Sequence, residues 1–136
     1  MKDCIFCKIV AGEFNSHCIY EDELFKVILD KYPASVGHAL ILTKAHYENV
    51  YELGESEARA LGAMMVKMSE TLKEKLGCEG LNVVQNNGAA AGQVIYHYHM
   101  HLIPRYKNDG VVIKLAAKNN ADEMIREVME KLGLKA

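Results

Sequence analysis

The sequence predicts an α+β fold: a five-stranded, mainly antiparallel sheet with one long central helix and a C-terminal helix. Short apolar runs bounded by turn residues recur along the chain, helical periodicity is confined to a few segments, and strands and helices do not alternate regularly as βαβ units. The chain has 136 residues, with no internal repeat and no linker-like stretch. We therefore expect a single domain over residues 1–136.

Five stretches are predicted to be the strands, because each is a short apolar or β-branched run that ends at turn residues. They cover residues 17–21, 25–29, 39–42, 81–86 and 97–104. The first two are close enough in sequence to form a hairpin, and the last is predicted to end at Pro104, which cannot donate to a sheet ladder.

Three helical segments complete the predicted fold, beginning with a single turn over residues 7–10. The long helix has Ser56 as its N-cap, apolar residues at intervals of three and four, and Gly77 as its end. Its methionines are predicted to fill the core. The C-terminal helix covers residues 121–132, with Asn120 as N-cap, Gly133 as stop and one apolar face.

Charge and composition exclude several classes of partner. The formal net charge is -2 and the pI is about 6.3, with no block of like charges, so neither nucleic acid nor an anionic membrane is an expected partner. The N-terminus does not resemble a signal peptide, and no apolar run approaches the roughly 18 residues of a membrane span. We therefore expect a cytoplasmic protein that binds small molecules.

The four cysteines are not expected to form disulfides, because a reducing compartment keeps thiols reduced. Cys18 and Cys78 are predicted to be small buried residues. Cys4 and Cys7 form a C-x-x-C pair, which is half of a tetrahedral zinc site.

The stretch HYHMHLIPR places three of the six histidines at alternate positions, His97, His99 and His101. On a strand these side chains point to one face, while the intervening apolar residues point to a core. The outer two would lie roughly 13 Å apart, which is too far for one ion to bind all three. The spacing favours different duties for the histidines, with a histidine-rich strand of no special role as the alternative.

The loop NNGAAAGQ before this strand favours a ligand. Its glycines allow close approach to backbone N–H groups, and the side-chain amides of Asn86 and Gln93 can donate to phosphate oxygens.

The segment from His97 to Ile103 resembles the His-φ-His-φ-His-φ-φ signature of the histidine triad (HIT) family of nucleotide hydrolases and transferases. Gly92-Gln93, Asn86 and LDKYPASVGHALILTKAH match the family as well, so the resemblance extends from CIFCKI to His101. It implies a HIT-like fold, a homodimer whose sheets join, and a purine nucleotide site on each subunit.

The resemblance also implies a role for individual residues at the phosphate. His99 corresponds to the nucleophile that attacks the α-phosphorus and forms a covalent nucleotidyl-histidine, a task that suits a largely unprotonated imidazole. His101 and His38 correspond to histidines that stabilise the phosphate, where an N–H offsets developing negative charge. Val94 departs from the pattern, because many members have Ser or Thr there, and this puts the preferred leaving group in doubt.

The remaining substrate contacts follow from the same resemblance. Asp30 matches the residue that accepts hydrogen bonds from the ribose, and Asn86 and Gln93 match phosphate contacts. The apolar positions expected to hold the base, or else to form ordinary core, are Ile5, Phe6, Ile9, Phe25 and Leu29.

Some bacterial members are similar to this chain in pairing N-terminal cysteines with two histidines, here His46 and His97. Together with Cys4 and Cys7 these would hold a structural Zn²⁺ that catalysis does not require. The alternative is that both cysteines are unliganded thiols near the surface.

The leading hypothesis from the sequence is hydrolysis of purine nucleotides such as adenosine 5'-monophosphoramidates at the α-phosphate. Dinucleoside polyphosphates are the alternative substrates within the family. A transferase is disfavoured, because the related uridylyltransferases are longer chains with a different H-P-H-x-Q pattern. The alternative of another class is a nucleotide- or zinc-binding interaction module without catalysis.

Overall fold

The computed structural model of the protein describes residues 3–135, so the ends of the predicted domain, residues 1 and 136, lie outside the described residues. The predicted α+β fold is confirmed. In chain order the elements are α1 (Ile5–Val10), β1 (Cys18–Glu21), β2 (Phe25–Leu29), β3 (Ala39–Thr43), α2 (Glu55–Leu76), β4 (Gly80–Val84), a 3₁₀ turn (Ala89–Ala91), β5 (His99–Arg105) and α3 (Ala121–Lys131).

The five strands form one open sheet in the order β1-β2-β3-β5-β4, and every neighbouring pair is antiparallel. The central strand β3 is buried along its whole length. This burial on both faces explains why its sequence, ALILT, is a continuous run without the alternation of a half-exposed strand.

One face of the sheet packs against α2 and forms the larger core. Alternate strand residues point toward the helix, which contributes Met64, Met68 and Leu72. The strand residues in this cluster are Phe25, Val27, Ala39, Ile41, Met100 and Leu102. The predicted role of the helix methionines as core residues is therefore confirmed for Met64 and Met68.

The opposite face carries α1 and the catalytic candidates. Phe6 and Ile9 of α1 pack on Ile28, Leu40 and Leu42. Strand alternation sends Met100 and Leu102 to the α2 side, so His99 and His101 project on the α1 side. The fold thus places two of the three histidines beside a short apolar helix.

The last strand begins two residues later than predicted, at His99, and continues through Pro104 to Arg105. The regular ladder does not include Tyr98 because its N–H donates to the carbonyl of Tyr47, in the loop after β3, over 2.7 Å. The ring of His97 is fully buried, with 0% of its surface exposed. The expectation that all three histidines share one strand face and line a surface or a cleft is therefore wrong for His97, which precedes the strand and is buried.

Other predicted boundaries differ because the local hydrogen bonds differ. The long helix has Gly54 as its N-cap, not Ser56, since the Ala58 N–H already donates to the Gly54 carbonyl over 2.9 Å. The fourth strand ends at Val84, so Asn86 lies in the following loop. Cys78 is buried as predicted, whereas Cys18 is exposed because β1 is an edge strand.

The C-terminal helix α3 forms with Asn120 as N-cap, close to the predicted range, although the Asn120 side chain makes no capping hydrogen bond. None of its residues is buried within the described chain. Its apolar side chains, including Ile125 and Val128, are therefore open to solvent or to a partner. None of the helices over residues 3–135 has the length and hydropathy to cross a membrane.

Candidate functional site

A cavity of about 770 Å³ lies between α1 and the sheet. Ile28 and Leu40 line it on the side of the sheet, and Phe6 and Ile9 line it on the side of α1. The two strand histidines, His99 and His101, line one end. The predicted residues Asp30, Asn86, Gln93, His99 and His101 all line it. The structure therefore brings together in one cavity residues from β2, β5 and the loop between β4 and β5.

His99 is oriented by a single backbone contact. Its Nδ1 lies 2.7 Å from the carbonyl oxygen of His97. Because a carbonyl only accepts, Nδ1 carries the ring proton, and the lone pair of a neutral ring is then on Nε2. Phe6 packs edge-on against the ring, with centroids 4.9 Å apart, and limits its rotation.

His101 and His38 are joined in a directed chain of hydrogen bonds. The Ala34 N–H donates to His38 Nδ1 over 2.9 Å, so the proton of neutral His38 is on Nε2. His38 Nε2 lies 2.9 Å from His101 Nδ1, which must therefore accept. This fixes the proton of neutral His101 on Nε2, leaving that N–H free to donate to a ligand.

Asp30 follows β2 and closes this cluster. Its Oδ1 accepts the Tyr32 N–H over 2.8 Å, and its Oδ2 lies 3.5 Å from His38 Nε2. The remaining lone pairs of the carboxylate are available at the cavity wall, where two adjacent hydroxyls could donate to them.

Burial holds His99, His101 and the adjacent His38 in the neutral form. Desolvation lowers the pKa of His99 and that of His38, in each case against a smaller opposing effect of the Asp30 charge. Desolvation, with the neighbouring His99 and His38, lowers the pKa of His101 to about 4. At neutral pH the rings therefore act as a lone-pair donor and as N–H donors, not as imidazolium ions.

Asn86 and Gln93 differ in what their amides can do. The Asn86 side chain makes no hydrogen bond within residues 3–135 and lines the cavity. Gln93 Nε2 donates to the carbonyls of Glu48 and Ile95, over 2.6 and 3.1 Å, and its Oε1 accepts the Gly88 N–H over 2.7 Å. The Gln93 amide protons therefore donate to backbone carbonyls, and the side chain holds the loop in place. This differs from the predicted donation of the Gln93 amide to phosphate.

The four predicted metal ligands lie together at the start of α1. Ligand atoms of Cys4, Cys7, His46 and His97 are all within 4.8 Å of one another. His97 Nδ1 is 3.3 Å from Cys4 Sγ, 3.4 Å from Cys7 Sγ and 3.3 Å from His46 Nδ1. Ligand atoms on a tetrahedron with bonds of about 2.0–2.3 Å lie about 3.3–3.8 Å apart, so the donor set and its spacing fit Zn²⁺.

The ring of His97 is also in the protonation state that a metal requires. Its Nε2 donates to the Thr43 carbonyl over 2.6 Å, so Nδ1 faces the two cysteines without a proton. Burial and the neighbouring Cys4 raise the pKa of the Cys7 thiol to about 11, a shift that a bound cation would oppose. Thr43, which the sequence interpretation missed, is therefore the residue that fixes the His97 tautomer.

The predicted base-binding residues separate into two groups. Ile5, Phe6, Ile9 and Leu29 line the cavity, but Phe25 does not, because strand alternation turns it toward α2. The structure adds residues that the sequence interpretation missed, Asn15, Ser16 and His17, in the segment between α1 and β1. No motif marks them; only their position after α1 would have suggested proximity to the cavity.

Comparison with known proteins decides the family. Residues 11–108 match the HIT domain family. This chain is a member of the HIT family. The resemblance in its histidine motif is thereby confirmed, and the sequence-predicted residues His38, Asn86, Gln93, His99 and His101 lie within the matched range.

Several HIT relatives are 37–43% identical to this chain over the aligned residues. An uncharacterised HIT-like protein of Methanocaldococcus jannaschii is 43% identical over 92% of this chain and 98% of its own length. The adenylylsulfatase HINT3 of Arabidopsis thaliana is 43% identical over 79% of this chain and 55% of that protein. The adenosine 5'-monophosphoramidase hnt1 of Schizosaccharomyces pombe is 37% identical over 75% of this chain and 74% of that protein.

Solved HIT structures have the same fold. A Bacillus subtilis member is 38% identical and superposes with a TM-score of 0.80, over 95% of this chain and 96% of that one. A zinc-bound histidine triad protein of Mycobacterium smegmatis is 29% identical, with a TM-score of 0.77 over 97% of this chain and 96% of that one.

Proposed function

We propose that this protein hydrolyses purine nucleotides at the α-phosphate, with adenosine 5'-monophosphoramidates as the substrate class, through a covalent nucleotidyl intermediate on His99. The observation that carries the proposal is the hydrogen bond of 2.7 Å from His99 Nδ1 to the His97 carbonyl. It leaves the Nε2 lone pair of a neutral ring at the end of a cavity of about 770 Å³. The names of the plant and fission-yeast relatives, an adenylylsulfatase and a phosphoramidase, support the reaction class.

The reaction proceeds by two displacements at phosphorus. His99 Nε2 attacks the α-phosphorus, a P–N bond to the histidine forms, and the bond to the leaving nitrogen breaks as that nitrogen takes up a proton from solvent. Water then attacks the same phosphorus and gives a proton back to solvent, the bond to Nε2 breaks, and AMP is released. The overall balance is substrate plus water giving AMP and the free amine.

His101 stabilises the charge that develops on the phosphoryl oxygens. Its Nε2–H is directed to the ligand because His38 donates to its Nδ1 over 2.9 Å. The unpaired amide of Asn86 supplies a second donor at the same end of the cavity. Since burial holds these histidine rings neutral, the stabilisation comes from oriented N–H groups in a partly water-excluded site.

The ribose and base occupy the remainder of the cavity. Asp30, whose Oδ1 and Oδ2 both face neighbouring donors, accepts hydrogen bonds from the ribose hydroxyls. The base packs against the cavity-facing side of the cluster that Phe6 and Ile9 form with Ile28 and Leu40, where burial of apolar area favours a flat ring.

The test is to measure AMP release from adenosine 5'-phosphoramidate and from diadenosine tetraphosphate side by side. We expect turnover of the phosphoramidate, loss of turnover in His99→Ala by several orders of magnitude, and retained AMP binding in that variant. Leu115→Ala, at a position 96% exposed, is the control for handling. If diadenosine tetraphosphate is hydrolysed in preference to the phosphoramidate, the proposed substrate class becomes the dinucleoside polyphosphates. Nucleotide binding without turnover of either compound would favour the non-catalytic interaction module.

We also propose that Cys4, Cys7, His46 and His97 hold a structural Zn²⁺. The spacing of the four donor atoms supports it, as does the His97 Nε2–H bond to the Thr43 carbonyl, since metal-ligating histidines usually donate their second N–H. A bound Zn²⁺ would supply a cross-link between α1 and the residue that orients His99. Metal analysis of the purified protein by atomic emission, with Cys7→Ser as the depleted variant, tests it: one zinc per chain is expected, and an equal content in both proteins would refute it.

We further propose that two copies of the chain associate as a homodimer. The free edge of β4, with Val83 43% exposed, and the apolar side chains of α3 support this, because both present surfaces that the described chain does not cover. Sedimentation equilibrium should give twice the chain mass. A single-chain mass at micromolar concentration would contradict it.

A further inference from the structure

Distances along the cavity can be estimated from strand pairing, because paired residues on neighbouring strands form a row across its floor. Strand register aligns His101 of β5 with Leu40 of β3, Leu40 with Ile28 of β2, and Ile28 with Cys18 of β1. Neighbouring strands lie about 4.8 Å apart, so the row runs about 10 Å from His101 to Ile28 and about 14 Å to Cys18. With the phosphate at His101, a nucleotide extended along this row has its base over Ile28.

The far end of the row is bounded by the segment that leads into β1. Phe14, Asn15, Ser16 and His17 all line the cavity, and His17 immediately precedes Cys18. The carbonyl of His17 accepts the Leu29 N–H over 2.9 Å, which fixes this segment against β2. The outer edge of a base over Ile28 therefore faces these four residues.

Ile5, Ile9 and Phe14 form the apolar part of the surface around the base position. Asn15 supplies an amide there, beside the polar side chains of Ser16 and His17. The Asn15 side chain makes no hydrogen bond within residues 3–135, in contrast to Gln93 at the phosphate end, whose amide is fully engaged. Asn15 is exposed and lines the cavity, so its amide is open to solvent or to a bound ligand.

We propose that Asn15 selects the base, by hydrogen bonding the exocyclic amino group and N7 of a 6-aminopurine. An amide offers one acceptor and one donor at the right separation for this pair, whereas a 6-oxopurine presents two acceptors there. Adenine nucleotides are then preferred over inosine and guanosine nucleotides. The inference rests on the proposed hydrolase function and adds its base specificity.

The expected size of the effect follows from the two hydrogen bonds between the base and the exposed Asn15 amide. A matched pair is gained with adenine, and an amide oxygen faces a carbonyl oxygen with hypoxanthine, so discrimination of about 10-fold to 100-fold in kcat/KM is expected. Asn15→Ala removes both the gain and the repulsion. It should lower kcat/KM for the adenosine substrate by about 10-fold and leave the inosine substrate unchanged or improved.

The experiment compares adenosine and inosine 5'-phosphoramidates, which differ only at position 6 of the base, with the native protein and Asn15→Ala. Asn119→Ala, an exposed asparagine just before α3, is the matched control and should keep the native ratio. The inosine rate shows within the same variant whether Asn15→Ala is folded. Equal kcat/KM for the two bases in the native protein, or an unchanged ratio in Asn15→Ala, overturns the inference while the hydrolase assignment stands; no turnover of either substrate by the native protein refutes the hydrolase assignment itself.

Discussion

Replacing His38 by alanine tests the hydrogen-bond chain that positions the His101 proton. The Ala34 N–H donates to His38 Nδ1, and His38 Nε2 donates to His101 Nδ1, each over 2.9 Å. Without His38, His101 loses the hydrogen bond that makes its Nε2–H tautomer more stable than its Nδ1–H tautomer. A neutral hydrogen bond contributes about 0.5–1.5 kcal/mol net, so the active tautomer loses a preference of roughly 2-fold to 12-fold.

We expect kcat/KM of His38→Ala to fall by about an order of magnitude, with KM changing less than kcat. His38→Gln, whose side-chain amide can still donate to His101, should recover part of the loss. Nitrogen-15 chemical shifts of the His101 ring report the tautomer directly: Nε2 carries the proton in the native protein, and both nitrogens share it in His38→Ala. A His101 proton that stays on Nε2 in His38→Ala, with turnover within twofold of native, would refute the relay.

Three further predictions concern stability and the metal cluster. Because burial lowers the pKa of His101 to about 4, the unfolded chain takes up a proton first as pH falls below 6.5. The free energy of unfolding, measured in urea, should therefore fall between pH 6.5 and 4, by on the order of 3 kcal/mol from this group. The fall should be smaller in His101→Asn. Cys7→Ser should lower the thermal midpoint and weaken activity without abolishing it, in calorimetry and turnover measured together; an unchanged midpoint would contradict a structural metal. Leu102→Ala, at a residue with 0% exposure, should cost about 2–5 kcal/mol in the same urea assay, against less than about 0.5 kcal/mol for Leu115→Ala.

The strands and helices could be predicted because their patterns are local. The ALIL run of β3, the periodic apolar residues of α2 and the alternation in β5 each depend on neighbours a few residues away. Even the side on which Phe25 lies was available from strand parity, since it shares its face with Val27 and not with Ile28.

The placement of His97 could not be predicted from strand alternation alone. Its ring contacts Cys4 and Cys7, which lie 93 and 90 residues earlier in the chain, and the Tyr98 N–H donates to the loop after β3. The geometry separates the two outer histidines: His97 lies in the Cys4–Cys7–His46 cluster, and His101 lies with Asp30 and His38. Their different duties stay a prediction.

Histidine tautomers, and the side-chain amides that remain free, could not be predicted from the sequence because they also depend on long-range contacts. Gln93 and Asn86 look equivalent in the loop motif, but backbone groups of Gly88, Ile95 and the distant Glu48 occupy the Gln93 amide. Likewise, Asn15 carries no motif, and its relation to the base follows from the order of four strands across the sheet. Long-range pairing decides which polar groups are occupied and which remain free for a ligand.

The central claim, nucleophilic attack by His99, is tested most directly by trapping the intermediate. The protein is mixed with excess adenosine 5'-phosphoramidate, quenched in alkali within the first turnover and digested for mass spectrometry, with His101→Ala included to slow breakdown. The account predicts one adenylyl group per chain, attached to His99, and none in His99→Ala. Turnover of the substrate with an adenylyl group on any other residue, or with no protein-bound adenylyl group in either protein, would contradict it.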